Sequence, residues 1–246
     1  MSKPLLVGAA LALLLSAAVI ERQIDDPIAA AIASPDRLAS DLARDANRQP
    51  QRVLDFFDIK RGMHVADLMA GDGYYTEILS RAVGENGKVY CQNTAIPLDR
   101  FAEKPLTARL ERDGLENVVR LDREFDDVGL PTGLDAAILI RFYHDFEWQE
   151  VDRAAFNAMV FAHLKPGAVF GVVDHVAEDG AGISQGKSLH RVEPALVRRE
   201  IEAAGFVFEA ESHALSNPDD EHDWNIFSER RRDQTDRFLY LFRKPE

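Results

Sequence analysis

The sequence predicts an α/β fold: one mostly parallel sheet with helices on both faces, closed by an antiparallel strand pair at its C-terminal end. Three features of the chain carry this. From His64 onward, short apolar runs alternate with longer helical stretches, the pattern of parallel strands joined by crossover helices. The run LDAAILIRF, from Leu134 to Phe142, is apolar almost throughout, as a strand covered on both faces must be. The last two runs, FVFEAESHAL and DRFLYLFRK, are separated by a polar loop without helical periodicity, and such a pair is most simply antiparallel.

Taken in order, the chain opens with Lys3 and then runs uncharged from Pro4 to Ile20, with small residues at Ser16-Ala17-Ala18. That is the grammar of a secretory leader, so residues 1–18 are expected to be a signal peptide and the mature protein to be exported, to a periplasm; retention as a membrane anchor is the alternative. Residues 19–62 are expected to form a helical cap. Ser34-Pro35 opens a charged helix through about Ala46, and a second helix from Gln49-Pro50 carries Val53, Leu54, Phe56 and Phe57 and stops before Gly62. Residues 63–246 hold the sheet. Its strands are HVADLMA, KVYCQN, VVRLD, LDAAILIRF, AVFGVVDHV and the closing pair. Helices are expected over Tyr74–Val83, over Glu147–Leu164 with a stop at Lys165-Pro166-Gly167, and over Glu193–Ala204 with Gly205 behind it.

Composition sets limits on partners. A chain of 246 residues that is 46% hydrophobic can bury one substantial core. A net charge of −13, spread along the chain, argues against a nucleic-acid partner, which demands clustered Lys and Arg. The lone cysteine, Cys91, allows neither an internal disulfide nor a cysteine-built zinc site. His175, His190 and His222 are too dispersed to give metal-ligand spacing, so no metal is expected.

At the first strand-to-helix turn the chain reads Asp67-Leu68-Met69-Ala70-Gly71-Asp72-Gly73-Tyr74-Tyr75-Thr76. Glycines at 71 and 73 permit a tight turn and close approach of a ligand, and a helix beginning there points N–H groups at it. As a dinucleotide fingerprint the loop is poor, because Thr76 stands where the third glycine belongs; a nicotinamide-dependent oxidoreductase is therefore disfavoured.

The acid at Asp67, the alternating small residues and the closing strand pair together resemble the class I S-adenosylmethionine (SAM)-dependent methyltransferases, with Met69 where their first glycine is usual. The DH, HR, NP-D-D and terminal TD-F-F-KP stretches are similar to those of a group of exported predicted methyltransferases. The resemblance implies a Rossmann-like seven-stranded mostly parallel sheet with a C-terminal antiparallel strand pair, and SAM as cofactor. It implies cofactor contacts from Asp67, Ala70, Gly71, Asp72, Gly73 and Tyr74, from Asn93 at the ribose, and from Glu124 and Phe125 at the adenine, where Asp122 and Asp126 compete with Glu124. Asn93 stands where the family has an acid.

Ligands of open α/β sheets sit beyond the carboxyl ends of the strands, which brings the segments after the fourth and fifth strands to the reacting centre. Arg141 is expected on the cofactor side, and Tyr143, His175, His190 and Arg191 on the acceptor side. His144 is the candidate base, with Asp145 to orient it; a structural role for His144 is equally open. The long loop from Ser216 to Thr235 is either a lid or disordered. The activity implied is methyl transfer to a small-molecule or envelope acceptor, with a catalytically silent binding protein of the same fold as the alternative; membrane contact is expected only through an uncleaved leader.

Overall fold

The computed structural model describes residues 26–231 and 233–246; the expected signal peptide over residues 1–18 lies outside the described residues. Seven strands form one sheet in the order β3-β2-β1-β4-β5-β7-β6. The strands are β1 (His64–Leu68), β2 (Lys88–Asn93), β3 (Val118–Asp122), β4 (Leu134–Ile140), β5 (Leu164–His175), β6 (Val207–Glu211) and β7 (Arg237–Arg243). β1 pairs in parallel with both β2 and β4, while β7 runs antiparallel between β5 and β6. The expected closing pair is therefore present, and β7 is inserted beside β5 with His175 opposite Arg237. The strand order reverses beside β1, which opens a crevice there at the carboxyl edge of the sheet.

Helices cover both faces, as the strand burial requires. One face carries α1 (Pro27–Ile32), α3 (Pro50–Phe56) and α4 (Tyr74–Val83), whose Ile28, Val53, Leu54, Ile78 and Leu79 share a core with Val65 and Ile138. The other carries α6 (Arg153–His163) and α7 (Pro194–Ala203), where Phe156, Val160, Val197 and Ile201 pack with Phe146, Phe170 and Phe242. Two more helices, α2 (Ala39–Arg48) and α5 (Glu103–Leu110), stand at the edge where the crevice opens. Of the two helices expected over residues 19–62, α3 packs into the core around Val65, while α2 buries only Asp41. Phe57 is fully buried, and a Cβ placed on Gly171 of β5 would lie 2.5 Å from its ring.

Several boundaries move for local reasons. Asp26 accepts from the amides of Ile28 and Ala29, each at 3.0 Å, and starts α1, a helix the sequence reading passed over. Ser34-Pro35 then forms a turn instead of a helix start, and α2 begins at Ala39. Gln49 adopts a left-handed φ of 45° that ends α2 and lets Pro50 open α3. The helix expected from Glu147 begins at Arg153 because the Asp152 side chain caps the Ala155 amide at 3.0 Å. Between β2 and β3 the chain is helical from Ala95 to Leu110, with a π-helical stretch over Leu98–Ala102, and no sequence signal had marked it.

Replacing Gly171 with Ala forces the Phe57 ring off the sheet. The expected loss is about 1–3 kcal/mol of unfolding free energy in urea titration, typical of overpacking a tight core; an unchanged midpoint refutes this docking.

Candidate active site

The crevice at the end of β1 is built by a backbone held in an unusual course. Met69 takes a left-handed φ of 51°, and Gly71 and Gly73 follow at 58° and 80°. The side chain of Gln92 accepts from the Met69 amide at 3.2 Å, and its carbonyl accepts from the Ala70 amide at 3.0 Å. Asn93 clamps the next residue from both sides, accepting from the Gly71 N–H at 2.8 Å and donating to the Gly71 carbonyl at 3.2 Å. A non-glycine residue with positive φ costs on the order of 1 kcal/mol, so Met69 keeps its conformation because the end of β2 over-determines it.

Gly73 is needed for a different reason. A Cβ there would lie 2.9 Å from both Arg109 Cδ and Leu106 Cδ1. Arg109 of α5 is 2% exposed and gathers three elements. Its Nε donates to the Asp72 carbonyl at 2.7 Å, and its guanidinium also pairs with Asp41 of α2 and Glu77 of α4. Burial alone would raise the Asp41 pKa, but the hydrogen bonds and charges of Arg109 and Arg44 outweigh it and hold the carboxyl below its ordinary 3.8. Its contribution to stability is thus present above pH ~4 and lost as acid protonates it.

One cavity adjoins this loop, and a second shares with it a wall of Arg44, Arg48 and Arg141. The first, of about 320 Å³, is lined by Asp67, Met69, Ala70, Gly71, Asp72, Tyr74 and Tyr75, with Phe101, Pro105 and Phe142 opposite. The second, of about 310 Å³, is lined by His175, Ile226, Phe227, Asp233, Thr235 and Arg237. Of the expected cofactor residues, Asp67, Ala70, Gly71, Asp72, Tyr74 and Arg141 come together on the first cavity, and Gly73 lies behind them against Arg109. Asp67 is buried; burial and, less strongly, the nearby Asp72 push its pKa up to about 7 against the lowering effect of a 2.6 Å hydrogen bond from Thr76.

Other expectations are corrected. Asn93 is fully buried and spends its amide on Gly71, so it lines neither cavity and offers nothing to a ribose. Glu124 is exposed, accepts from the Ala95 amide at 2.9 Å, and with Phe125 borders a separate hollow; the Phe125 ring packs edge-on against Phe146 and Phe156. Tyr143 is buried and bonded to Glu200 and Asn157, which places it in the core. Arg191 is fully buried and grips Asp220 through two hydrogen bonds of 2.8 and 3.1 Å, pinning the 216–235 loop. The described residues of that loop supply Ile226, Phe227, Asp233 and Thr235 to the wall of the second cavity.

His144 is not presented as a free base. Its Nδ1 lies 2.6 Å from Asp174 and its Nε2 3.1 Å from Asp145, and it lines neither cavity. Burial pulls its pKa down, but the Asp174 charge and the hydrogen bonds to both carboxylates prevail and raise it to about 9, so the ring is an imidazolium at neutral pH. Asp145 also takes hydrogen bonds from Trp148 and His190 at 2.7 and 3.0 Å, and it and His190 likewise lie off both cavities. The ligand atoms of His144, Asp145 and His190 lie within 4.8 Å of one another, a grouping that charge-assisted hydrogen bonds already satisfy.

His175 is the one acceptor-side candidate that reaches a cavity. Arg44, Arg48, Phe101, Arg109 and Arg237 join the region without having been among the expected residues. Arg44 and Arg48 lie four residues apart, on one helical face, which is a signal that periodicity carries; Arg237 is placed only by the pairing of β7 with β5.

The chain superposes on a SAM-dependent methyltransferase from Aquifex aeolicus with a TM-score of 0.60, covering 81% of this chain and 92% of that one at 21% identity. The chain has the class I SAM-dependent methyltransferase fold. A SAM-dependent O-methyltransferase from Thermotoga maritima matches with a TM-score of 0.52 over 81% of this chain and 65% of that one, at 18% identity. Aeropyrum pernix fibrillarin, solved with natively bound SAM, matches with a TM-score of 0.51 over 75% of this chain and 67% of that one, at 12% identity. The sequence matches no protein-family model and no curated protein.

Replacing Arg109 with Met removes the charge that joins Asp41, Asp72 and Glu77. The expected cost is about 3–5 kcal/mol in urea unfolding at neutral pH, the range for breaking a buried pair; a loss under about 1 kcal/mol contradicts the role given to this guanidinium.

Proposed function

We propose that the protein is a SAM-dependent methyltransferase acting on a small-molecule acceptor, with the first cavity as its cofactor pocket. The observation that carries this is the position of that cavity, at the crevice beside β1, lined by the turn from Met69 to Asp72 with Met69 and Gly71 at positive φ. The residues present fit the cofactor. Asp67 supplies an acid for its ammonium group, the shared wall of Arg44, Arg48 and Arg141 offers more positive charge than its one carboxylate takes up, and Tyr74, Phe101 and Phe142 supply apolar surface. SAM bound there would supply an electrophilic methyl group, and the chain's task is alignment of an acceptor with it. The uncharged run from Pro4 to Ile20 behind Lys3 supports export, with cleavage to a periplasmic protein and a small-molecule or envelope acceptor as its substrate.

A second reading, a binding protein without catalysis, is favoured by Asn93, which leaves no acid at the end of β2 for a ribose. The two separate cleanly. Isothermal titration with S-adenosylhomocysteine is expected to give micromolar binding, and no heat at millimolar ligand defeats the cofactor assignment. Release of S-adenosylhomocysteine from SAM in the presence of an acceptor extract, lost in Gly71→Arg, defeats the silent alternative.

Because the Asp67 pKa stands near 7, cofactor binding should depend on pH. The carboxylate form holds the ammonium, so SAM affinity is expected to rise from pH 5 to 8, by up to about tenfold per unit below the pKa, with proton release on binding. Asp67→Asn should flatten that profile and weaken SAM at pH 8. A pH-independent affinity for the unmodified protein refutes the contact.

A further inference from the structure

The second cavity has a charge pattern that the cofactor does not explain. In a chain of net charge −13, Arg48, Arg141 and Arg237 converge on this one chamber. Among the described residues, none of the three makes an ion pair within 4.0 Å, and Asp233 is the one acid on the wall. Arg44, the fourth cation, is already paired with Asp41 and Asp72.

The individual guanidiniums are poorly satisfied. Arg237 is 8% exposed, and its buried Nε has no hydrogen-bond partner among the described residues. Arg141 follows a left-handed backbone at φ 62° and donates from Nε to the Nε2 of His175 at 3.1 Å, a neutral acceptor. His175 in turn engages Thr235 through Nδ1 at 2.8 Å, so neither ring nitrogen is free. Burial, and then the Arg48 and Arg237 charges, lower the Arg141 pKa to about 10, which leaves it charged at neutral pH. Arg237 is lowered in the same direction, chiefly by burial.

SAM cannot close this balance. It carries a sulfonium and an ammonium against a single carboxylate, so cofactor in the first cavity adds net positive charge to a wall that already has an excess. Buried cations without partners are costly, and a ligand anion is the group that removes the cost. Planar guanidiniums suit carboxylate or phosphate oxygens in particular.

We propose that the second cavity is the acceptor site and that it selects acceptors bearing a carboxylate or phosphate group, held by Arg237 and Arg141 with Arg48 at the shared wall. This rests on the methyltransferase reading for the word acceptor, but the anion site itself does not depend on it. Ile226 and Phe227 give the same chamber an apolar side, so the fitting molecule is small, with one anionic end and a hydrocarbon or aromatic body.

The probes are benzoate, phenyl phosphate and uncharged benzamide, titrated into the full mature chain with and without saturating S-adenosylhomocysteine. At least one anion is expected to bind at concentrations up to about 10 mM, at least about tenfold more tightly than benzamide, and which anion binds distinguishes carboxylate from phosphate acceptors. Arg237→Gln should lower that binding about tenfold while leaving S-adenosylhomocysteine affinity within about twofold, because Arg237 lines the second cavity alone; Arg237→Lys should recover part of it. If circular dichroism shows Arg237→Gln to be unfolded, Arg48→Gln is used, with the same loss of anion binding expected. Equal binding of benzamide and the anions, binding of neither anion, or anion binding unchanged in the folded variant overturns the proposal. Failure of S-adenosylhomocysteine to bind while benzoate or phenyl phosphate still does overturns the cofactor reading and leaves the anion site standing.

Discussion

Arg109 is the constraint on which the site depends. It is contributed by α5, it fills the space that Gly73 leaves by having no Cβ, and it reaches α2, the glycine loop and α4 together. An isolated buried guanidinium would be strongly unfavourable, so the position of each partner is fixed by the need to neutralise it. Arg112 shares Glu77 and Arg44 shares Asp41, which spreads the charge over a network. One consequence is mechanical. Arg44 and Arg48 of α2 are brought to the wall between the two cavities by the same ion pairs that hold α2 to the loop.

The sheet supplies the other half of the geometry. Parallel strands put their carboxyl ends on one edge, so the Asp67 region, Arg141 and His175 arrive there as a matter of topology. β7 is antiparallel, and its amino end lies on that same edge, which sets Arg237 opposite His175. The closing strand pair therefore does more than finish the sheet: it delivers a cation to the second cavity that no parallel strand could have placed at its own start.

Fold was legible in the sequence because it is written in periodicity. The apolar run of β4 and the lack of helical periodicity between β6 and β7 both have local causes that survive in the folded chain. The glycine loop was legible for the same reason, since positive φ and close packing restrict residue choice. Side-chain roles were less so. Asn93, Glu124, Tyr143 and Arg191 are polar residues at the right edge, yet each finds a nearer partner than a ligand: the Gly71 backbone, the Ala95 amide, Glu200 and Asp220. Sequence spacing places a residue at the edge of a sheet; it does not say which of several hydrogen-bond partners will claim it. The helical stretch from Ala95 to Leu110, with Phe101 and Arg109, was invisible because its π-helical segment and interposed prolines break the period that a helix search reads.

The two charge clusters obey opposite logic, and that contrast separates scaffold from site. Around Arg109, Asp41 and Glu77, cations and acids are matched, the carboxyl of Asp41 is held below its ordinary range, and folding gains from the pairing. Around the second cavity, cations repel one another, Arg141 and Arg237 are pulled below their ordinary range, and folding loses. The His144 group belongs with the first kind, since its imidazolium sits between two carboxylates. Arg48 stacks over the Tyr74 ring at 4.4 Å, but stability offers no reason to bring Arg141 and Arg237 beside it when acids are in surplus elsewhere on the chain. Unfavourable electrostatics concentrated at a cavity beside a ligand crevice is the arrangement expected where the missing counter-charge arrives with a substrate.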